Sequence, residues 1–188
     1  MNQLITYAAL WMAYFAIHSL LASEKAKATF GNPKWYRIFY VLQSVLLLVP
    51  IFIYRLQIPT EKLFEASVGT KIPSIGLGYV AYVLFRQAAQ VYDLKAFLGL
   101  RQNKEQGLVT HGILERVRHP FYTATVALGL GFLIYSPTIT NAIMIGSWFL
   151  YLPIGIWLEE KKLISEFGDA YKDYQKSTPV LFPRIFNK

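Results

Sequence analysis

Residues 121–158 read FYTATVALGLGFLIYSPTITNAIMIGSWFLYLPIGIWL, about 38 positions without one Asp, Glu, Lys or Arg. A single membrane helix needs ~20 residues, so the run is too long for one span and about right for two. Ser136-Pro137-Thr138 lies near its middle and supplies a turn. Folded there as an antiparallel helical hairpin with equal rises of ~1.5 Å per residue, positions at one depth carry numbers summing to roughly 277. His119 then lies level with Leu158 and Glu159. Polar groups about 40 residues apart in the chain meet at one membrane face.

The rest of the composition agrees with this reading. The 188 residues are 54% hydrophobic and 16% aromatic, with a mean hydropathy of +0.33. Charged residues make up 16%, against ~25% in soluble domains. An all-α integral membrane protein forming one domain over residues 1–188 is expected. The net charge of +8 would suit nucleic acid, but Lys and Arg cluster between the apolar runs, as membrane topology demands. No nucleic-acid partner is therefore expected. The absence of cysteine excludes disulfides, cysteine-held zinc and a Cys nucleophile.

Five spans are predicted, at roughly 4–22, 36–54, 73–92, 121–136 and 138–158. No Lys or Arg precedes the first, whereas Lys25, Lys27, Lys34 and Arg37 follow it. That asymmetry opposes a cleavable signal peptide and puts the N-terminus outside. Pro50 lies near the exit of the second span, where a kink is tolerated. The connection between spans three and four carries Lys95, Arg101, Lys104, Arg116 and Arg118. The tail carries Lys161, Lys162, Lys172, Lys176, Arg184 and Lys188. Both read as cytoplasmic, and a bacterial inner membrane is the expected location. Leu163, Phe167, Tyr171 and Tyr174 form one stripe, predicting an amphipathic helix over 159–177 that ends before Pro179. It reads either as a membrane-surface anchor or as a lid over a cytoplasmic pocket.

Two groups invite chemistry. His18, His111 and His119 all fall near the cytoplasmic face, but none shows the paired helical spacing of a ligand motif. No metal site is expected, and His18 reads as a hydrogen-bonded interior or helix-packing residue. Arg118-His119-Pro120 suits an interfacial helix start, where Pro is favoured in the first turn. Glu159 and Glu160 close an apolar span at its C-terminal end, against the helix dipole and on the basic side of the membrane. Either Lys161 and Lys162 compensate them, or a cationic ligand does, held between Glu159 and the RHP turn.

In order, the chain shows Leu108-Val109, then Arg118-His119-Pro120-Phe121-Tyr122, the uncharged hairpin, Glu159-Glu160, Phe167-Gly168-x-x-Tyr171-x-x-Tyr174 and Pro179. This series, within residues 106–183, resembles the isoprenylcysteine carboxyl methyltransferase superfamily, whose members are membrane enzymes using S-adenosylmethionine. Asp93-Leu94, the GLRQ run at 99–102, the PTIT run at 137–140 and the GIWLEE run at 155–160 are similar to its NnrU-like branch. That branch includes methanethiol S-methyltransferases. The resemblance implies that Leu108 and Val109 line the adenosyl site, that His119, Pro120 and Tyr122 contact the cofactor, and that Glu159 is the cofactor-binding acid. Gln106 occupies a position that is His in some relatives, and Leu114 stands where carboxyl methyltransferases often have Tyr. Gly155 replaces the Arg with which the eukaryotic enzymes address a substrate carboxylate, which argues against a prenylcysteine acceptor.

Methyl transfer from a sulfonium is an in-line displacement that needs alignment and exclusion of water rather than a covalent protein nucleophile. A thiol reacts as its thiolate, which nearby cations favour. Arg86, His111 and Arg118 are the candidates for that influence. The expected activity is S-adenosylmethionine-dependent methylation of a small or lipophilic thiol within the membrane. Carboxyl O-methylation and a non-catalytic haem- or metal-binding role are the alternatives.

Overall fold

The computed structural model describes residues 2–31, 34–92 and 107–183, and among these the secondary structure is helical apart from one isolated bridge. The helices are α1 (Asn2–Ala22), α2 (Glu24–Thr29), α3 (Lys34–Leu46), α4 (Leu48–Leu56), α5 (Val68–Val91), α6 (Pro120–Tyr135), α7 (Ile139–Phe167) and α8 (Asp169–Ser177), with a 3₁₀ turn at Gly112–Glu115. Among the described residues, four helical stretches are long and apolar enough to cross a bilayer: Asn2–Ala22, Trp35–Leu56, Val68–Val91 and Ile139–Phe167. The apolar α6 is shorter, at 16 residues. Leu20, Leu56, Ile72, Ile75 and Leu150 point outward. Such exposure would be costly in water and is ordinary against lipid. The molecule is an all-α membrane protein.

Several boundaries differ from the sequence expectation for physical reasons. The second span is interrupted at Leu47, one turn before Pro50, because proline offers no N–H to residue i−4 and crowds that carbonyl. The third helix begins at Val68 rather than near Pro73. Thr70 Oγ1 accepts from the Ser67 N–H at 3.0 Å, capping the earlier start, and Pro73 is carried inside the helix. The expected change at Glu159 does not occur. α7 runs unbroken to Phe167, since Glu-Glu-Lys-Lys-Leu are good helix formers. The chain turns instead at Gly168, where φ is +58°, a conformation glycine adopts without steric cost. The amphipathic helix expected over 159–177 is thus divided between the end of α7 and α8.

The described residues cluster into two compact units, one of 2–31, 34–65 and 137–151, the other of 66–92, 107–136 and 152–183. The first is built around Trp11, which meets Phe52 edge-on at 6.2 Å and Trp148 at 5.9 Å. Phe15 stacks on Tyr151 at 4.4 Å. Hydrogen bonds between helices complement this packing, as they do where lipid removes the hydrophobic drive. Ser44 donates its hydroxyl to the Tyr40 carbonyl at 2.8 Å, so its oxygen accepts from His18 Nδ1 at 3.1 Å. His18 Nε2 then accepts from the Tyr40 hydroxyl at 2.7 Å. His18 is a satisfied interior residue. Ahead of α7, Ile139 N–H donates to Glu61 O at 3.1 Å and Leu63 N–H to Pro137 O at 2.7 Å.

In the second unit α5 and α6 approach closely. A Cβ on Gly131 would lie 2.9 Å from the Ser74 carbonyl oxygen, so only glycine permits this spacing. Beneath the 3₁₀ turn, Leu84, Ile113, Leu114, Val117 and Ala124 form a buried core, with Val109 and Tyr174 against it. The Tyr174 hydroxyl donates to Leu114 O at 2.6 Å. This core fixes the chain immediately before the Arg118-His119-Pro120 turn.

Candidate active site

His119 is the N-cap of α6 and Pro120 its first helical residue. Proline suits that position because its missing N–H would have had no partner there. The cap leaves the peptide groups of Arg118 and His119 outside the helix, and the chain after α8 pairs with them. Arg118 N–H donates to Pro179 O at 2.9 Å and His119 N–H to Val180 O at 3.2 Å. Thr123 Oγ1 donates to Leu181 O. Residues 178–181 therefore form a strap across the RHP turn.

The reversal after α6 returns the chain so that the end of α7 faces this turn. His119 Nδ1 lies 3.6 Å from Glu159 Oε2, and Nε2 lies 3.1 Å from Glu160 Oε1. The juxtaposition expected from equal-depth counting is present, with Glu160 drawn in alongside Glu159. The two carboxylates differ sharply. Glu160 is 16% exposed and receives Arg118 Nη2 at 2.7 Å and Nε at 2.8 Å, Gln175 Nε2 at 2.9 Å and the Tyr171 hydroxyl at 3.4 Å. Glu159 is 44% exposed and stands beyond hydrogen-bond length from the imidazole. Glu160 is thus a neutralised, interior carboxylate, and Glu159 is the one that faces outward.

Arg118 is equally occupied. Its guanidinium is 7% exposed and, besides Glu160, Nη1 donates to Gln175 O at 3.0 Å and to Thr178 O. It joins α7, α8 and the strap. Arg86 and His111 are exposed, and among the described residues neither bonds to the His119–Glu160 cluster. Leu108 and Val109 are half-buried, ahead of the 3₁₀ turn. Tyr122 is half-buried, its ring 5.5 Å from the imidazole. Gln106 lies outside the described residues.

Sequence reasoning took Glu160 as half of an acidic doublet and Tyr171 as part of an apolar stripe, and gave no role to Gln175 or to the strap. The Glu-Glu doublet was the available signal, but two adjacent carboxylates point in different directions on a helix, and no spacing rule says which one turns inward. Burial pushes the Tyr171 hydroxyl well above its ordinary range, with the Glu160 charge adding to the effect. Tyr174 is pushed up to about 12, by burial. Both rings therefore stay protonated donors at neutral pH.

Helices long enough to span a bilayer, and an imidazole–carboxylate cluster where the start of α6 meets the later part of α7, define a membrane protein with a polar site. The chain belongs to the NnrU protein family, whose model matches residues 3–184. It is similar to methanethiol S-methyltransferase 2 of Bradyrhizobium diazoefficiens, 29% identical over 94% of this chain and 72% of the relative. The methanethiol S-methyltransferase of Crocosphaera subtropica is 30% identical over 94% of this chain and 74% of its own. A shorter stretch is similar to the protein-S-isoprenylcysteine O-methyltransferase of Schizosaccharomyces pombe, 37% identical over 53% of this chain and 44% of the relative. No solved structure matches the chain.

Proposed function

We propose that this protein is an integral membrane methyltransferase that moves the methyl group of S-adenosylmethionine to a small or lipophilic thiol. The observation that carries the reading is the pairing of His119 Nδ1 with the outward-facing Glu159 carboxylate, 3.6 Å apart at the end of a membrane-spanning helix. The methanethiol S-methyltransferases that resemble the chain along most of its length support it.

The donor set suits such a cofactor. Glu159 offers a carboxylate, 44% exposed, to a cationic amino-acid end, and His119 Nδ1 stands beside it. Leu108, Val109 and Tyr122, all half-buried, would flank the remainder, with Gln106 as a further contact, whereas Pro120 is fully buried and would act by fixing the turn. When bound, S-adenosylmethionine supplies an electrophilic methyl group on a sulfonium. The residues of this chain bind, orient and exclude water, consistent with its lack of cysteine. Arg86 and His111 are the exposed groups proposed to favour the acceptor's thiolate. Arg118 is proposed to act at one remove, through Glu160. Gly155, on α7 one turn before Glu159, offers no cation to a carboxylate acceptor, and so the thiol is preferred over the acid.

The site is proposed to open to the cytoplasm of a bacterial cell, with the N-terminus outside, because the segments that carry Lys25 and Lys27, Arg116, and Lys161 and Lys162 are basic, and basic connections favour the cytoplasmic side. Purified protein given S-adenosylmethionine and methanethiol is expected to release dimethyl sulfide into the headspace. Formation of base-labile methyl esters on an acid acceptor, with no volatile sulfide from any thiol, would replace the thiol reading with carboxyl methylation.

A further inference from the structure

Glu160 receives more hydrogen bonds than its neighbour, yet it faces inward. Its Oε1 accepts from two nitrogens of Arg118 at 2.7 and 2.8 Å and stands 3.1 Å from His119 Nε2, and its Oε2 accepts from Gln175 at 2.9 Å. An ionised carboxylate can only accept, so the imidazole must carry its hydrogen on Nε2. The opposite tautomer would turn a lone pair on a carboxylate at a side chain only 3% exposed, where no solvent relieves the clash. Because Arg118 already balances the Glu160 charge, no second cation is needed there. A neutral imidazole satisfies the interior side of the site.

The other side follows. With hydrogen on Nε2, Nδ1 presents its lone pair to Glu159 Oε2 across 3.6 Å. Two acceptors then face each other with no hydrogen between them, a pair stabilised only when a donor enters. A primary ammonium has three N–H bonds and serves both at once. A tertiary sulfonium or a quaternary ammonium has none.

We infer that Glu160 is a positioning residue that holds the His119 imidazole as its Nε2–H tautomer, so that Nδ1 and the Glu159 carboxylate form a paired acceptor for a primary ammonium group. The identification of that ammonium with the amino-acid end of the methyl donor rests on the reading above, whereas the state of the ring does not. Glu160 acts on the ligand through His119, and Arg118, Tyr171 and Gln175 act through Glu160.

The test joins a spectroscopic and a binding measurement on the full chain in detergent. ¹⁵N-histidine NMR at pH 8 reads the tautomer, and the three histidines are assigned by single replacement of His18 and His111. S-adenosylhomocysteine and its deaminated analogue are the binding probes. The wild-type ring is expected as Nε2–H, with S-adenosylhomocysteine preferred over the analogue by roughly tenfold or more. Glu160→Ala should release the ring to a mixture of tautomers and abolish that preference. Glu160→Gln, whose carbonyl oxygen still accepts from Nε2–H, should keep both, and it settles the matter where the alanine variant does not fold: loss of the tautomer in a folded Gln variant overturns the inference. A ring that stays Nε2–H in folded Glu160→Ala, a doubly protonated wild-type ring, or a preference that survives loss of the tautomer also overturns it. Should the wild type bind neither probe while its ring still follows Glu160, the methyl-donor reading falls and the tautomer assignment stands.

Discussion

Arg118 and Glu160 make a buried ion pair with further bonds on both sides, Arg118 to two carbonyls and Glu160 to Gln175, His119 and Tyr171. Removing one member of such a pair leaves the other charged and without its partner, which costs about 3–5 kcal/mol. Arg118→Met is therefore expected to lower the melting temperature substantially in detergent. Glu159→Gln, at a side chain 44% exposed, should leave melting unchanged yet weaken S-adenosylhomocysteine by roughly tenfold, read by calorimetric titration. Equal effects of both substitutions on melting would contradict the division of labour between the two carboxylates. Tyr174 adds a pH dependence. Its folded pKa of about 12 lies above the ordinary value of 10.0, so the stability it contributes is complete below about pH 10 and is lost as pH rises through about 12. Tyr174→Phe should flatten the alkaline decline of melting temperature in that window.

Packing between α5 and α6 depends on one absent side chain. Ala at 131 would press a methyl group on the Ser74 carbonyl and on Leu77 Cβ, at 2.9 and 3.1 Å. Backbone and a Cβ cannot move aside as a side-chain tip can, so Gly131→Ala should cost about 1–3 kcal/mol, measured by thermal unfolding. The turn at Gly168 behaves differently. Nothing lies within 4 Å of its would-be Cβ, and the strain comes from φ +58° alone. Gly168→Ala is expected to cost about 1 kcal/mol and to loosen α8. Because Tyr171 and Gln175 reach Glu160 from α8, this change should also weaken cofactor binding, though residue 168 touches no part of the site.

At the scale of the whole molecule, the strap after α8 decides the completeness of the site. Arg118 and His119 give their peptide N–H groups to Pro179 O and Val180 O, so a chain stopped after Ser177 leaves buried donors unpaired at the RHP turn. Such a truncation should keep its far-ultraviolet helix signal and lose S-adenosylhomocysteine binding. A truncated chain with unaltered affinity would show the strap to be dispensable. Reporter fusions test the orientation: a fluorescent protein at the C-terminus should fold in the cytoplasm, and alkaline phosphatase fused there should be inactive.

Much of this was legible before folding. Membrane class, the apolar spans and the meeting of His119 with the Glu159-Glu160 doublet follow from charge-free run lengths and the fixed rise of a helix, which depend only on residues near one another in the chain. Helix ends were less legible, since Pro50, Ser67 and Gly168 act through local backbone sterics that a hydropathy pattern does not record. Which of two adjacent carboxylates turns inward could not be read from the chain at all. That choice belongs to the folded unit, where Arg118 from the RHP turn and Tyr171 and Gln175 from α8 converge on Glu160 and leave Glu159 facing outward. Neighbours far apart in the chain set the electrostatic environment of a charge, and only packing brings them together.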